Sequence, residues 1–277
     1  MKVGFIGTGS MGSILIESWI HAGALQPSDI VASNRTFGKA EAIADRHPGL
    51  RAVRTNLEVA DKCELIFLCV KPAEYKKVLD EIKNVVHPAQ IIVSITSPVM
   101  IKHLEHLLNC KIVKIIPSIT NYVLSGALLC IYGKSVDCDD KERLMRLFST
   151  ISTPVEVSED HTRICSDLSS CGPAFVAFFL QRLIDAAVEE TGIPREEATR
   201  LTSEMLLGTG KLLTEGGFTP ETLRERVSVP GGITAAGLQL MATELDGMFN
   251  RLIGITHAKY HEDVEKVENL FYGKIME

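Results

Sequence analysis

The residues whose types and spacing suit chemistry begin at the N-terminus. An apolar run, Val3-Gly4-Phe5-Ile6, leads into Gly7-Thr8-Gly9-Ser10-Met11-Gly12, and helix-compatible residues follow from Ser13 to Ile20. That succession is the strand, glycine turn and helix that hold a dinucleotide pyrophosphate. Gly7 permits the tight turn, Gly9 lets the backbone approach the phosphates, and Gly12 lets the helix pack close to the strand, so the N–H groups of the first turn face the anion. The whole segment from Gly7 to Gly12 is therefore a candidate cofactor site. A glycine turn by itself is a weak sign, and its position and flanks strengthen it here.

A second group lies about twenty residues further on, where an acid would accept from the ribose hydroxyls of NAD. The apolar run Ile30-Val31-Ala32 ends there in Ser33-Asn34-Arg35-Thr36. A guanidinium with hydroxyl and amide neighbours favours an extra 2′-phosphate. Asn34, Arg35 and Thr36 thus predict NADP, with NADPH preferred over NADH. The alternative for Arg35 is a solvated turn residue.

The elements that carry these groups follow from the patterning. Short apolar runs near 2 to 6, 30 to 33, 51 to 54, 64 to 70, 90 to 95, 112 to 116, 127 to 133 and 153 to 157 read as strands. Helical stretches around 11 to 22, 37 to 46, 72 to 84, 98 to 108 and 139 to 150 fill the gaps, which predicts parallel strands with crossover helices. Leu65 to Val70 and Ile91 to Ile95 are apolar on both faces, as strands covered on both sides should be. The expected fold is α/β, a Rossmann-like doubly wound sheet over residues 1–160. From Gly172 onward the periodicity is helical, with breaks at Gly192-Ile193-Pro194, Gly216-Gly217 and Val229-Pro230-Gly231-Gly232. A second, all-helical domain is expected over 161–268, followed by a tail, 269–277, without assigned structure. The wide apolar stripe of Phe175, Phe178, Phe179, Leu183 and Ile184 predicts a homodimer through this domain, with a larger homo-oligomer left open.

Composition bounds the partners. The 277 residues carry 45% hydrophobic and 23% charged side chains, a globular composition. A net charge of −6 argues against a general nucleic-acid or membrane-surface binder. The first strand starts at once, with no room for a leader, and no apolar stretch reads as long enough to span a membrane, so a cytoplasmic protein is expected. Seven cysteines without regular spacing read as free thiols. His103 and His106 share a helix face without a third ligand, so no metal site is expected.

Two later segments carry a resemblance. Ser169-Ser170-Cys171-Gly172-Pro173-Ala174-Phe175, and the stretch from Leu223 through Ser228-Val229-Pro230-Gly231-Gly232-Ile233-Thr234, resemble the signature of pyrroline-5-carboxylate reductases. These enzymes make proline by reducing a cyclic imine with NAD(P)H. The similarity runs over nearly the whole chain, through Val70-Lys71-Pro72, a segment that the resemblance places beside the cofactor; a solvated Lys71 is the alternative. It implies that Ser228, Gly231, Gly232 and Thr234 bind the substrate carboxylate, since a glycine pair opening a helix offers bare N–H groups at a positive dipole end. It also implies hydride transfer to the imine carbon, with Thr234 the candidate catalytic group near the ring nitrogen. A helix-entry turn without such a role is the alternative reading of this segment.

Several positions depart from the family pattern. Ile116-Pro117-Ser118-Ile119-Thr120 replaces Met-Pro-Asn-Thr-Pro, Val229 stands where the family has Ser, Cys171 replaces another Ser, and Ser97-Pro98 replaces Ala-Gly. The departures resemble a divergent, reductase-like branch of the family found in the late competence operon of bacilli. A different imine or ketone substrate, or a non-catalytic dinucleotide-binding regulatory role, are the alternatives they leave open.

Overall fold

The computed structural model describes residues 1–273. Eight strands form one sheet: β1 (Val3–Ile6), β2 (Ile30–Ser33), β3 (Arg51–Val53), β4 (Leu65–Leu68), β5 (Ile91–Ser94), β6 (Lys111–Ile116), β7 (Ala127–Tyr132) and β8 (Thr153–Glu156). Their order is β3-β2-β1-β4-β5-β6-β7-β8, so the chain winds outward from β1 in both directions, as in a doubly wound sheet. Every expected strand is present. One pairing departs from the all-parallel expectation: β6 and β7 are antiparallel, with Val113 opposite Tyr132. The connection, residues 117–126, is too short for a crossover, and the chain turns back through a single 3-10 segment, Ile119–Val123.

Helices cover both faces: α1 (Ser10–His21), α2 (Phe37–Arg46), α3 (Asn56–Lys62), α4 (Tyr75–Ile82), α5 (Ile101–Glu105) and α6 (Cys138–Phe148). Helix α3 is not legible in the pattern; Thr55 caps it by accepting from Glu58 N at 3.2 Å. Alternate strand residues feed two separate cores. Val3, Phe5, Leu65 and Phe67 join Leu15, Ile16 and Trp19 on one face. Ile6, Ile66 and Leu68 join Val59, Tyr75 and Leu79 on the other. Trp19 is fully buried between Phe67, Phe5 and Phe148 and donates its indole N–H to Leu147 O at 3.2 Å. That bond ties α1, the helix behind the glycine turn, to the far end of α6.

The remaining helices are α7 (Thr162–Ser166), α8 (Gly172–Thr191), α9 (Arg195–Thr214), α10 (Pro220–Val227), α11 (Ile233–Glu244) and α12 (Met248–Tyr272). The chain divides into two compact units: Met1–Pro173 with the segment from Thr256 onward, and Ala174–Ile255. This differs from the boundary near residue 160 read from the pattern, because α7 and the end of α12 are anchored to the sheet unit. Asp167 accepts from Thr256 Oγ1 at 2.7 Å, and Glu159 pairs with the buried Lys114 at 3.0 Å.

Two further expectations are corrected. The tail assigned from Asn269 is helical through Tyr272, because Val267 and Phe271, one helical turn apart, bury an apolar face; Phe271 stacks on His103 at 4.9 Å. The remainder of that tail, 274–277, lies outside the described residues. The helical run Glu159–Thr191, in contrast to the sequence reading, is long and apolar enough by length and composition to cross a membrane, with a mean hydropathy of 1.4 in its most apolar window.

The second unit has almost no interior of its own. Within it only Ile184 and Ala198 are buried, while Phe178, Phe179, Leu183, Leu201 and Met205 are exposed.

Candidate functional site

The glycine turn has the geometry that close approach to a phosphate needs. Gly7 sits at φ +103°, and a Cβ there would meet the Cys69 carbonyl oxygen at 2.5 Å. Its N–H donates to Ser33 O at 2.9 Å, which joins the turn to the end of β2. A Cβ on Gly12 would lie 2.3 Å from Gly7 O, whereas one on Gly9 would meet nothing within 4 Å. Gly7 and Gly12 are thus required by the protein's own packing, and Gly9 borders open space. Gly9 is the N-cap of α1 and supplies no side-chain cap, so the first-turn N–H groups of Ser10, Met11 and Gly12 have no intrahelical acceptor. Thr8 is buried and accepts from Asn34 Nδ2 at 2.8 Å, and Asn34 Oδ1 accepts from Thr36 N at 3.0 Å. Those two bonds lock the second predicted group against the first.

A cavity of about 640 Å³ opens beside this turn, lined by Gly7, Gly9, Asn34, Arg35, Val70 and Lys71 among the sequence-predicted residues. Thr8, Ser10, Met11, Gly12, Thr36 and Pro72 lie on the same turns without lining it. The structure adds Arg54, Thr55, Asn56, Glu74, Lys77 and Glu81 to the lining. Arg54 sits over the Phe37 ring at 4.1 Å, and Asn56 is held by Ser33 Oγ at 2.8 Å while donating to Glu81 at 2.7 Å. These residues come from the turn between β3 and α3, the start of α3, and α4 with its N-cap, which meet only in the folded sheet; the one clue in the sequence is the polar triplet Arg54-Thr55-Asn56 after the third apolar run. Arg35 Nη1 donates to Glu74 Oε1 at 3.1 Å. The cradle without side chains, the uncapped helix start and the cations around Arg35 fit a dinucleotide carrying a 2′-phosphate.

Beyond Lys71 the chain is pinned by Tyr75, whose hydroxyl donates to Leu68 O at 2.9 Å and lies 3.0 Å from Ser94 Oγ. Burial pushes its pKa up to about 12, so it stays a neutral structural link between β4 and β5.

At the carboxyl end of β6 the departing residues are tightly held. Ser118 is buried, donates its hydroxyl to Ser169 O at 3.1 Å and receives Thr120 Oγ1 at 2.9 Å. Asn121 accepts from Ser118 N at 2.8 Å. Ile119, by contrast, is exposed. Ser169 belongs to a π-helical turn, Asp167–Cys171, absent from the sequence reading because one extra residue per turn leaves no period to detect. Asp167 is buried and accepts from Arg163 Nη2 at 2.8 Å as well as from Thr256. The same Arg163 nitrogen donates to Cys171 Sγ at 3.2 Å.

The predicted substrate segment lies in the other unit. Ser228 is the C-cap of α10, Gly231 has φ +72°, and Gly232 is the N-cap of α11 without a side-chain cap. Gly232 N donates to Val229 O at 3.0 Å, closing the turn. Thr234 is exposed in the first helical turn, and Val229 is also exposed. The arrangement presents uncapped N–H groups and a hydroxyl at a positive helix end. Among the described residues no group of three or more His, Cys, Asp or Glu could hold a metal ion.

Known proteins share this geometry. The family model described as "Pyrroline-5-carboxylate reductase dimerisation" matches residues 159–263, and that described as "NADP oxidoreductase coenzyme F420-dependent" matches 2–98. ComE operon protein 4 of Bacillus subtilis is 40% identical over 98% of this chain and 100% of its own length. Pyrroline-5-carboxylate reductase 3 of Macaca fascicularis is 32% identical over 87% of each chain. The crystal structure of Plasmodium falciparum pyrroline carboxylate reductase with NADP bound superposes with a TM-score of 0.82 at 26% identity, covering 99% of this chain and 98% of that one. With a glycine cradle, a helical second unit and relatives matched almost end to end, this chain belongs to the pyrroline-5-carboxylate reductase family of NADP-dependent oxidoreductases.

Proposed function

We propose that the protein reduces 1-pyrroline-5-carboxylate to proline with NADPH. The observation that carries this reading is the uncapped, glycine-opened start of α11 in a chain that also has the dinucleotide cradle at Gly7 to Gly12. In this reading the N–H groups at the start of α1 hold the pyrophosphate, Asn34, Arg35 and Thr36 serve the 2′-phosphate end, and Val70, Lys71 and Pro72 border the cofactor. Bound there, NADPH supplies the hydride taken up by the imine carbon. Ser228, Gly231, Gly232 and Thr234 hold the substrate carboxylate, which orients the ring. The Thr234 hydroxyl, or a water it positions, delivers the proton that the ring nitrogen gains as the C=N bond is reduced. NADPH oxidation followed by absorbance with the imine tests the reading; no turnover above background, with cofactor bound, overturns it.

Val229 supports a second reading. It is exposed where the family's Ser would add a hydroxyl, and Ile119 is likewise exposed and apolar, which suits a less polar imine or ketone. The departures from the family pattern at Ser118, Ile119, Cys171 and Val229 support a third reading, a non-catalytic, dinucleotide-binding regulatory role. Tight NADPH binding without turnover on a panel of cyclic imines would favour that role.

The assembly proposed is a homodimer through the helical unit, with any higher oligomer built from it. Phe178, Phe179 and Leu183 on α8 and Leu201 and Met205 on α9 are exposed large apolar side chains, which a second copy of the unit would cover. The same surface accounts for the membrane-like hydropathy of the 159–191 run. A cytoplasmic setting accords with seven free cysteines, none of them disulfide-bonded.

A further inference from the structure

The ion pair on the candidate 2′-phosphate ligand is the most telling feature outside the cradle. Arg35 is the cation that the sequence offers to the phosphate, yet its Nη1 already donates to Glu74 Oε1 at 3.1 Å. Both side chains line the same cavity, together with Arg54 and Lys77. Glu74 is the N-cap residue of α4, but its carboxylate does not cap that helix. That carboxylate is turned instead toward Arg35, 39 residues away in sequence. The backbone of Glu74 is held in place, since its N–H donates to Lys71 O at 2.9 Å in the short turn after β4. The carboxylate is therefore set beside the cation from a fixed backbone.

We propose that Glu74 is a specificity-determining residue that competes with the 2′-phosphate for Arg35 and so holds down the preference for NADPH over NADH. This rests on the cofactor reading above. A 2′-phosphate carries close to two negative charges at pH 7, and to reach Arg35 it must displace or crowd a carboxylate. NADH brings only a hydroxyl to that place and meets no such repulsion. The pair is open to solvent, so the discrimination is moderate and weakens with salt. Lys77 and Arg54 keep the cavity cationic enough for the phosphate to enter in spite of Glu74.

The test is calorimetric binding of NADPH, NADH, 2′,5′-ADP and 5′-AMP to the full chain and to E74Q, R35A and the double variant. E74Q is expected to tighten NADPH and 2′,5′-ADP roughly threefold to tenfold, to move NADH and 5′-AMP by less than about twofold, and to lose most of its gain at about 0.5 M salt. In the R35A background the same change should have little effect, since the two residues act through one contact. Equal shifts for phosphorylated and unphosphorylated probes, or none, would overturn the proposal while leaving the cofactor reading intact. Failure of the wild type to bind either dinucleotide would overturn both.

Discussion

The carbonyl oxygen of Gly7 occupies the place a side chain on Gly12 would need: a Cβ there would come within 2.3 Å of it. The helix that offers its N–H groups to an anion can therefore approach β1 only because residue 12 has no side chain. Gly12→Ala is expected to destabilise the fold by about 2 kcal/mol or more and to weaken dinucleotide binding at least about tenfold, measured by denaturant unfolding and by calorimetry. Gly9→Ala separates the two effects. Its Cβ meets no protein atom within 4 Å, so stability should hardly change while cofactor affinity falls.

Arg35→Ala should weaken NADPH by about ten- to a hundredfold, the worth of a hydrogen bond to a charged group, and NADH much less. Equal losses in fluorescence titrations of the two cofactors would remove Arg35 from the phosphate site.

Restoring family residues should have unequal consequences. Val229 is exposed, so Val229→Ser is expected to fold normally and to lower KM for 1-pyrroline-5-carboxylate by up to about tenfold. Ser118 is 1% exposed and bonded to Ser169, so Ser118→Asn must force a larger group into a filled site and should cost roughly 1–3 kcal/mol. Steady-state kinetics beside a melting curve for each variant distinguishes a new hydrogen bond to substrate from a loss of packing.

The helical unit should form dimers. Light scattering on the purified protein is expected to give twice the chain mass, and Phe178→Asp, placing a charge on the exposed apolar face of α8, should reduce it to that of a single chain. A wild-type mass equal to one chain would contradict the assembly.

His103 predicts a pH dependence of stability. It is fully buried, its Nδ1 accepts from Met100 N at 3.0 Å, and burial lowers its pKa to about 4 from 6.5. Between those values the unfolded chain binds a proton that the folded chain does not, so stability falls as pH drops from about 6.5 toward 4 and this contribution levels off below. Urea midpoints measured across that window should fall for the wild type and fall less steeply for His103→Asn.

The glycine turn shows what local sequence can carry. Gly7, Gly9 and Gly12 are legible because each answers a backbone demand within a short stretch of chain, and Asn34 and Arg35 because a strand end follows at a set distance. The central strands β1, β2, β4 and β5 are legible for the same reason: burial on both faces leaves uninterrupted apolar runs. By contrast, Glu74 gives no local signal, and Arg54 and Asn56 give only the polarity of a triplet after the third apolar run. Glu74 meets Arg35, Asn56 meets Ser33 and Arg54 meets Phe37 only because parallel strands bring the ends of β2, β3 and β4 to one edge of the sheet.

The antiparallel β7, the π turn at Asp167 and the buried Phe271 divide the same way. Residue types alone determined the sheet-and-helix composition, the cradle and the kind of anion it suits, since those depend on period, backbone freedom and charge. Tertiary structure decided the direction of β7, the return of α12 to the sheet unit and the pairing of Arg35 with Glu74. Each of these depends on contacts between residues distant in sequence, whose partners become definite only when the chain has closed its long loops around a common core.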